Sequence, residues 1–575
     1  MFKRYSFHHL IESFTDFAHA SRQTEINPIR LHTITAAFLV GFTIIIFRLF
    51  DVALFGHNNN VSQAANIVYN PLHRNDILDR NGVLLATNLA TASLYSNPKL
   101  ISDPKEVVHK LLQIFPELNP KQLLTELSSQ KSFVWIKRNL TPKEQYNVNN
   151  LGIPGLQFEK GEQRIYPHGN LLSHVLGFVG VDGKGLVGIE KYFDKELSSS
   201  DPSQAPTQLV LSIDSRVQNI VSEELGNAIK EFRAIGGVGV VADANNGEII
   251  AAVSKPDFDP HNPTSASQEQ LFNRFSLGLY EPGSTFKTYT IAMALDSNTV
   301  NLHDSYNIDS PIQMSRFNIG DYHAKGGWRS IPEIFMYSSN IGVAKIALLL
   351  GKQKQKQFLQ AFGLLEPIEI ELPEKGKPQY PSDSRWGDLS TVTLSYGHGI
   401  TVTALHMVRA TAAMVNGGNL LKLTLVKQAD SNISASKVIQ LTTSEQMRKL
   451  LRLVVSHGTG KKANVEGYIV GGKTGTAHKN KNGTYSQNSR LSSFISAFPI
   501  NDPKYVVYIM LDEPKGTQAT GGYATAGMTA APVAGEVISR IAALYGIEAV
   551  DESAPEVATK VNIEEGELGD ELNSF

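Results

Sequence analysis

A hydroxyl becomes a strong nucleophile when a neutral amine stands close enough to take its proton. Ser284 and Lys287 offer that pair three residues apart, in Glu281-Pro282-Gly283-Ser284-Thr285-Phe286-Lys287. The spacing itself is common: Ser-x-x-Lys occurs five times, at Ser96, Ser102, Ser128, Ser284 and Ser434. Context separates the five. Ser96 and Ser102 have a proline between serine and lysine, which disfavours a regular helix interior. Ser128 and Ser434 lie in polar surroundings with no apolar helix after them. Only Ser284 follows Pro282-Gly283 and leads into the apolar run Tyr289 to Leu295. At the start of that predicted helix a serine meets free N–H groups and the positive end of the helix dipole. Lys287, one turn on, shares its face. The competing reading is a serine cap beside a solvated lysine, and the pair alone does not decide between them.

Two more stretches have residue types suited to the same chemistry. Ser338-Ser339-Asn340 falls between two predicted helices. The first opens at Ser330-Ile331-Pro332-Glu333 with capping-box spacing, and the second runs from Ile341 to Leu350 and is closed by Gly351. A junction of that kind lets side chains point into a cleft, although plain helix capping would use the same residues. Ser-x-Asn also recurs at Ser305 and Ser486. The third stretch is Gly471-Gly472-Lys473-Thr474-Gly475-Thr476-Ala477, after the strand-like Gly467 to Val470. A lysine with two threonine hydroxyls suits a substrate carboxylate, and glycine in a strand lets another backbone come close. A simple loop between strands is the alternative.

The elements that must hold these residues can be read from the C-terminal half. Leu209 to Ile213 reads as the opening of a new domain, and Asp214 to Phe232 has helical spacing. Gly237 to Ala242 and Glu248 to Val253 are apolar runs joined around Asn245-Asn246-Gly247, a hairpin signal because Asn-Gly accepts positive φ. Arg490 to Pro499 and Tyr505 to Leu511 are again strand-like, and several helices lie between the two strand pairs. This order predicts an α+β domain, an antiparallel sheet covered by helices, over residues 206–549.

The N-terminal half is organised differently. Residues 1–30 carry Lys3, Arg4, Arg22 and Arg30, and Leu31 to Phe50 follows with no charge before Arg48. Twenty helical residues rise about 30 Å, enough to cross a bilayer core. A buried core helix fits this length and apolarity poorly, and no small-residue cleavage pattern follows to suggest a signal peptide. After Arg48 no Lys or Arg appears until Arg74, so the positive-inside rule predicts a cytoplasmic tail over 1–30. The span would cover 31–50, with everything after about Phe55 outside. Residues 55–205 mix short strand and helix patterns, a pedestal with helices predicted from Pro104 to Phe115 and from Pro120 to Leu127. Asp79-Arg80-Asn81-Gly82 reads as a turn into a strand. The arginines and acids of this stretch, Arg74 to Arg80, read as interdomain salt links. Ser198 to Gln208 is a polar Pro/Ser linker. Residues from about 551 hold eight acidic side chains and one lysine, which predicts a disordered acidic tail over 550–575.

Composition sets the limits. A chain of 575 residues exceeds one compact core, and its 42% hydrophobic and 19% charged content is that of globular protein. A net charge of -2 gives no reason to expect nucleic acid, and the absence of cysteine excludes disulfides and thiolate chemistry. The histidines show no metal-site spacing, so a dedicated zinc site is not expected.

Together, the three stretches at Ser284, Ser338 and Lys473 resemble, in order and spacing, the class B penicillin-binding proteins. The closest type within them is the division-specific peptidoglycan D,D-transpeptidases (FtsI type). Flanking matches are Tyr280 to Gly283, Gly458-Thr459-Gly460, Ala530-Ala531-Pro532 and the pedestal stretches at Arg74 and Arg164. Two positions depart: Arg74-Asn75 where the family usually has Arg-Gly, and His398 between Gly397 and Gly399 where glutamine is expected. The second reads as packing variation. The resemblance implies a serine β-lactamase-like transpeptidase domain that cross-links peptidoglycan stem peptides, with β-lactams as covalent inhibitors. It assigns Ser284 as nucleophile, Lys287 as base, Ser338 as proton relay, and Asn340 to Lys287 and the substrate amide. Lys473, Thr474, Gly475 and Thr476 would take the substrate carboxylate. It further implies an inner-membrane protein with a periplasmic catalytic domain, partnered by a SEDS-type glycan polymerase (FtsW-like) and other divisome proteins, and it implies no cofactor or metal. An elongation-type enzyme or a catalytically dispensable divisome scaffold remain the alternatives. A β-lactamase would need neither anchor nor pedestal.

Overall fold

The computed structural model describes residues 36–47, 74–198, 208–322, 325–429, 433–481 and 484–563, the side chains of 480–488 excepted. Residues 36–47 form a helix that rises about 18 Å. The rest of the predicted 31–50 span, like the predicted tail 1–30, lies outside the described residues. No helix among the described residues is long and apolar enough to cross a membrane.

The pedestal is built on strands β1 (Ile77–Leu78), β2 (Leu84–Ser96), β3 (Val134–Leu140), β4 (Leu156–Ile165) and β5 (Leu209–Val210). They run β3-β2-β1-β5, and β4 also pairs with β2. The predicted turn precedes β2: Asp79 Oδ1 accepts from the N–H groups of Asn81 (2.8 Å) and Val83 (2.9 Å), and Gly82 has φ +82°. The predicted helices form at Pro104–Ile114 and Pro120–Leu127. Each starts with proline after a capping side chain, Asp103 or Asn119, whose oxygen takes two free N–H groups. Leu209–Val210 pairs parallel with Ile77–Leu78, so the segment expected to open the catalytic domain completes the pedestal sheet instead. Most of the predicted linker, 199–207, lies outside the described residues.

Buried charge holds the pedestal together. Glu190 exposes no side-chain surface and takes Arg74 Nε at 2.5 Å and Arg164 Nε at 2.7 Å. Arg74 also reaches Asp194 (2.7 Å), and Arg164 donates to the Asn75 carbonyl (2.9 Å). Arg74 was expected to link domains, but its ion pairs lie within the pedestal. Links between the domains include Arg80 with Glu248 (3.1 Å), Asp79 Oδ2 with the hydroxyl of Ser215 (2.8 Å), and the Tyr166 N–H with His261 Nε2 (3.0 Å).

The catalytic domain has the predicted antiparallel sheet between helical layers. Its strands are β6 (Gly236–Asp243), β7 (Ile249–Lys255), β8 (Gly471–Lys481), β9 (Thr484–Phe498) and β10 (Tyr505–Asp512), in the order β8-β9-β10-β6-β7. Alternate residues of β10 enter different cores. Val507, Ile509 and Leu511 pack with α1 (Ser215–Glu231) and the later helix Ala530–Leu544. Val506, Tyr508 and Met510 face the other side. That layer holds α2 (Lys287–Asp296), α3 (Ile331–Tyr337), α4 (Asn340–Leu350), α5 (Ala404–Val415) and α6 (Leu441–Ser456). Burial on both faces explains why these strands read as unbroken apolar runs. The hairpin forms, but with a longer loop than Asn-Gly suggested. Asp243 Oδ1 accepts from the N–H groups of Asn245 and Asn246, and of the pair Asn246-Gly247 only the glycine takes positive φ.

The expectation of a disordered tail from 550 is corrected by a helix, Pro555–Val561. Val557, Val561 and Ile563 are buried in the main core. The acidic composition hid an apolar spacing of four, and Glu552 finds a partner a hundred residues upstream, in Arg452. Residues 564–575 lie outside the described residues.

Replacing Glu190 with glutamine leaves two buried guanidinium groups without their shared carboxylate. A loss of about 3–5 kcal/mol in stability is expected by denaturant unfolding. A loss below about 1 kcal/mol would mean the network behaves like a surface one.

Candidate active site

Ser284 lies in a single 3-10 turn, Gly283–Phe286, that runs directly into α2. This turn is gripped from both sides at positions where only glycine fits. Gly283 has φ +57° and donates its N–H to the Gly397 carbonyl at 3.2 Å. A Cβ on Gly397 would stand 2.3 Å from the Gly283 oxygen, and one on Gly475 would stand 2.7 Å from Thr285 Cγ2 and 2.8 Å from the Pro282 oxygen. The glycines of the first and third stretches thus bring the edge strand β8 against the turn that carries Ser284.

Lys287, on the first turn of α2, exposes no surface. Its Nζ donates to the Ser338 carbonyl and, at 3.1 Å, to Ser338 Oγ. Lys473, third residue of β8 and also without exposed surface, donates to the same Oγ at 2.9 Å. Ser338 closes α3 in the left-handed conformation (φ 62°, ψ 44°), an arrangement that costs about 1–3 kcal/mol and turns its side chain toward the lysines. Ser339 does the capping work: its Oγ accepts from the Gly342 N–H at 2.9 Å and opens α4. Both readings of the Ser-Ser-Asn stretch therefore hold, one for each serine.

Burial drives Lys287 well below the ordinary lysine range, and the charge of Lys473 adds to the shift while Asp321 opposes it. Burial alone lowers Lys473 to about 7. The physical cause is the poor solvation of an ammonium group away from water, made worse by a second cation close by.

Above the lysines lies a cavity of about 550 Å³ whose walls include Ser284, Ser338, Asn340, Thr474 and Thr476. Lys287, Lys473 and Gly475 are not among its lining residues, and the two lysines meet its wall at Ser338. Asn340 faces this cleft, with its Nδ2 donating to the Gly320 carbonyl at 3.0 Å, whereas a bond to Lys287 was expected. Thr474 Oγ1 pairs with Thr459 Oγ1 at 2.7 Å, which gives the Gly458-Thr459-Gly460 stretch a role in seating the third motif. Thr476 Oγ1 accepts from the Ala526 N–H at 3.1 Å. His398, expected as packing variation, also lines the cleft, edge-on to Tyr396 at 5.2 Å. Burial first, then Lys287 and His478, hold it near about 4, an uncharged imidazole at neutral pH.

Among the cleft residues that gave no signal in the sequence is Asp321. Asp321 accepts from Ser339 Oγ (2.7 Å) and from the N–H groups of Asn340 (2.5 Å) and Ile341 (3.0 Å). It caps α4 from a distant loop and faces the cleft as well.

A cleft-facing serine and two desolvated lysines that share a second serine of the same cleft wall are the groups that serine acyl transfer requires. Comparison with known proteins narrows the class. The profile of the penicillin binding protein transpeptidase domain matches residues 237–538, and that of the penicillin-binding protein dimerisation domain matches residues 69–208. A probable peptidoglycan D,D-transpeptidase FtsI of Caulobacter vibrioides is 37% identical over 83% of this chain and 82% of its own. The peptidoglycan D,D-transpeptidase FtsI of Escherichia coli K12 is 28% identical over 83% and 84%. The crystal structure of penicillin-binding protein 3 from Mycobacterium tuberculosis with aztreonam has the same fold. It aligns with a TM-score of 0.66 at 22% identity, over 84% of this chain and 98% of that one. The chain belongs to the penicillin-binding protein transpeptidases, in their class B branch.

The lysine pair dictates a pH dependence. Reaction with a β-lactam should quicken as pH rises and Lys287 loses its proton. Lys473→Ala removes one of the two causes that depress Lys287, so the acidic limb of the residual rate should move to higher pH. An unmoved limb in a stopped-flow pH profile would mean that burial alone sets the titration.

Proposed function

We propose that the protein is the septal peptidoglycan D,D-transpeptidase of its cell, joining stem peptides through an acyl-enzyme on Ser284. The observation that carries this reading is the convergence of Lys287 and Lys473 on Ser338 Oγ beneath the cleft that Ser284 faces. Neutral Lys287 takes the Ser284 proton as Oγ attacks the penultimate D-alanine carbonyl of a stem peptide ending in D-Ala-D-Ala. The N–H groups of Ser284 and Thr476 receive the oxyanion, each worth roughly 3–4 kcal/mol of barrier. Ser338 passes a proton to the departing D-alanine nitrogen. Lys473, Thr474, Gly475 and Thr476 seat the terminal carboxylate, and Asn340 at the cleft wall meets the substrate amide. The amine of a second stem peptide then attacks the ester and frees Ser284. A β-lactam imitates the dipeptide and stays attached.

The relatives named FtsI support the septal branch over the elongation branch. Leu31 to Phe50 anchors the chain in the inner membrane. Residues 1–30 are cytoplasmic, and the pedestal (55–205) and transpeptidase domain (206–549) are periplasmic. The anchor and pedestal meet a SEDS-type glycan polymerase (FtsW-like) and other divisome membrane proteins. The apolar length of that stretch and the arginines before it support this topology.

Labelled penicillin is expected to form a lasting adduct that mass spectrometry locates on the Ser284 peptide, and Ser284→Ala should take up none. A covalent label on that variant would sink the assignment. Depletion of the protein should yield filamentous cells under the microscope. Round cells would transfer it to the elongation branch.

A further inference from the structure

The chain after residue 546 runs beyond the transpeptidase profile, which ends at 538, and it grips the approach to the strand that carries Lys473. Val550 donates its N–H to the Gly467 carbonyl at 2.9 Å. Gly467, at φ +79°, leaves room for Ala549, whose Cβ would lie 3.1 Å from an added Cβ. The helix Pro555–Val561 then packs against α6, with Val557 and Val561 buried.

Between these anchors Glu552 makes a two-pronged ion pair with Arg452 of α6: Nε to Oε1 and Nη2 to Oε2, both 2.5 Å. Such a fork fixes the plane of a guanidinium group. The remaining nitrogen, Nη1, donates at 2.9 Å to the Val470 carbonyl and at 2.9 Å to Asn464 Oδ1. Val470 is the residue before β8, and Lys473 stands three places further on. Arg452 is almost wholly buried (6% of its side chain exposed), whereas Glu552 is about one-third exposed (34%). The helix that bears Arg452 also packs against α3, whose last turn leads into Ser338. Just past α6, a Cβ on Gly458 would lie 2.8 Å from the Met336 carbonyl oxygen of α3. One helix therefore supports both partners of the Lys473–Ser338 contact, and the C-terminal segment holds that helix to the strand.

We propose that Glu552, acting through Arg452, is a positioning residue for Lys473, and that residues 549–563 form a strap that sets the approach of Lys473 Nζ to Ser338 Oγ. The proposal rests on the acyl-enzyme reading of the site. A displaced catalytic group loses rate far out of proportion to the displacement, because the reacting atoms must meet within a narrow range of distance.

The test is the single-turnover rate of labelling by fluorescent penicillin, measured on the full chain well below its unfolding temperature. Glu552→Gln is expected to slow labelling about tenfold. Arg452→Lys, which keeps the charge but cannot form the fork, should do the same. Glu556→Gln, exposed on the helix Pro555–Val561 that follows, should change the rate by less than about twofold. The decisive comparison repeats Glu552→Gln in a Ser338→Ala background. There the slowing should shrink to less than about twofold, because the contact that the strap aligns is already gone. Equal slowing in both backgrounds would reduce the strap to a general stabiliser and overturn the proposal, as would unimpaired labelling of folded Glu552→Gln. Should Glu552→Gln fail to fold, Arg452→Lys carries the same two-background comparison. Absence of label on the unmodified protein would overturn the acyl-enzyme reading, and this one with it.

Discussion

The hydroxyl of Ser338 lies within hydrogen-bonding reach of two lysine nitrogens that water does not touch. Two ammonium groups so placed are both disfavoured, because neither has the solvent that would stabilise it and each repels the other. Loss of a proton relieves this: Lys287 is driven well below the ordinary lysine range and Lys473 is lowered to about 7. The depression of Lys287 thus follows from burial and proximity, with no special chemistry in the side chain. Asp321 tempers the effect from the rim while holding the segment that carries Ser339 and Asn340.

Much of the surrounding domain keeps this arrangement in place. The lysines come from a helix and from an edge strand, and the shared serine from a strained helix terminus. Close packing of backbone on backbone at Gly283, Gly397 and Gly475 joins these elements. α6 supports the strand and α3 at once. The sheet, apolar on both faces, provides the rigid platform against which the helix and strand ends are set. The pedestal solves another problem in the same terms: Glu190 shares two arginines without solvent, and that charge network ties chain segments a hundred residues apart into one body.

Local features of the fold were legible because they depend on neighbours in the chain. The proline-led helices at Pro104 and Pro120, the turn at Gly82 and the apolar strands around Val240 and Val507 follow from dihedral preference and spacing. The tail was misread because net charge outweighed the spacing of Val557 and Val561, and because Arg452 gave no sign of its distant partner. The placement of Leu209–Val210 in the pedestal sheet was likewise invisible, since strand pairing across 130 residues leaves no local trace.

For the site, the sequence by itself determined which residue types were available and in what order, and it singled out Ser284 among five equal spacings by its helix. It also supplied the glycines that a close backbone approach requires. Only the tertiary structure decided that Ser338 rather than Ser339 meets the lysines, that Asn340 turns to Gly320, that Asp321 belongs to the site, and that Lys287 is driven well below the ordinary lysine range. Those outcomes depend on burial and on distances between segments far apart in the chain. Neither quantity exists until the segments have met.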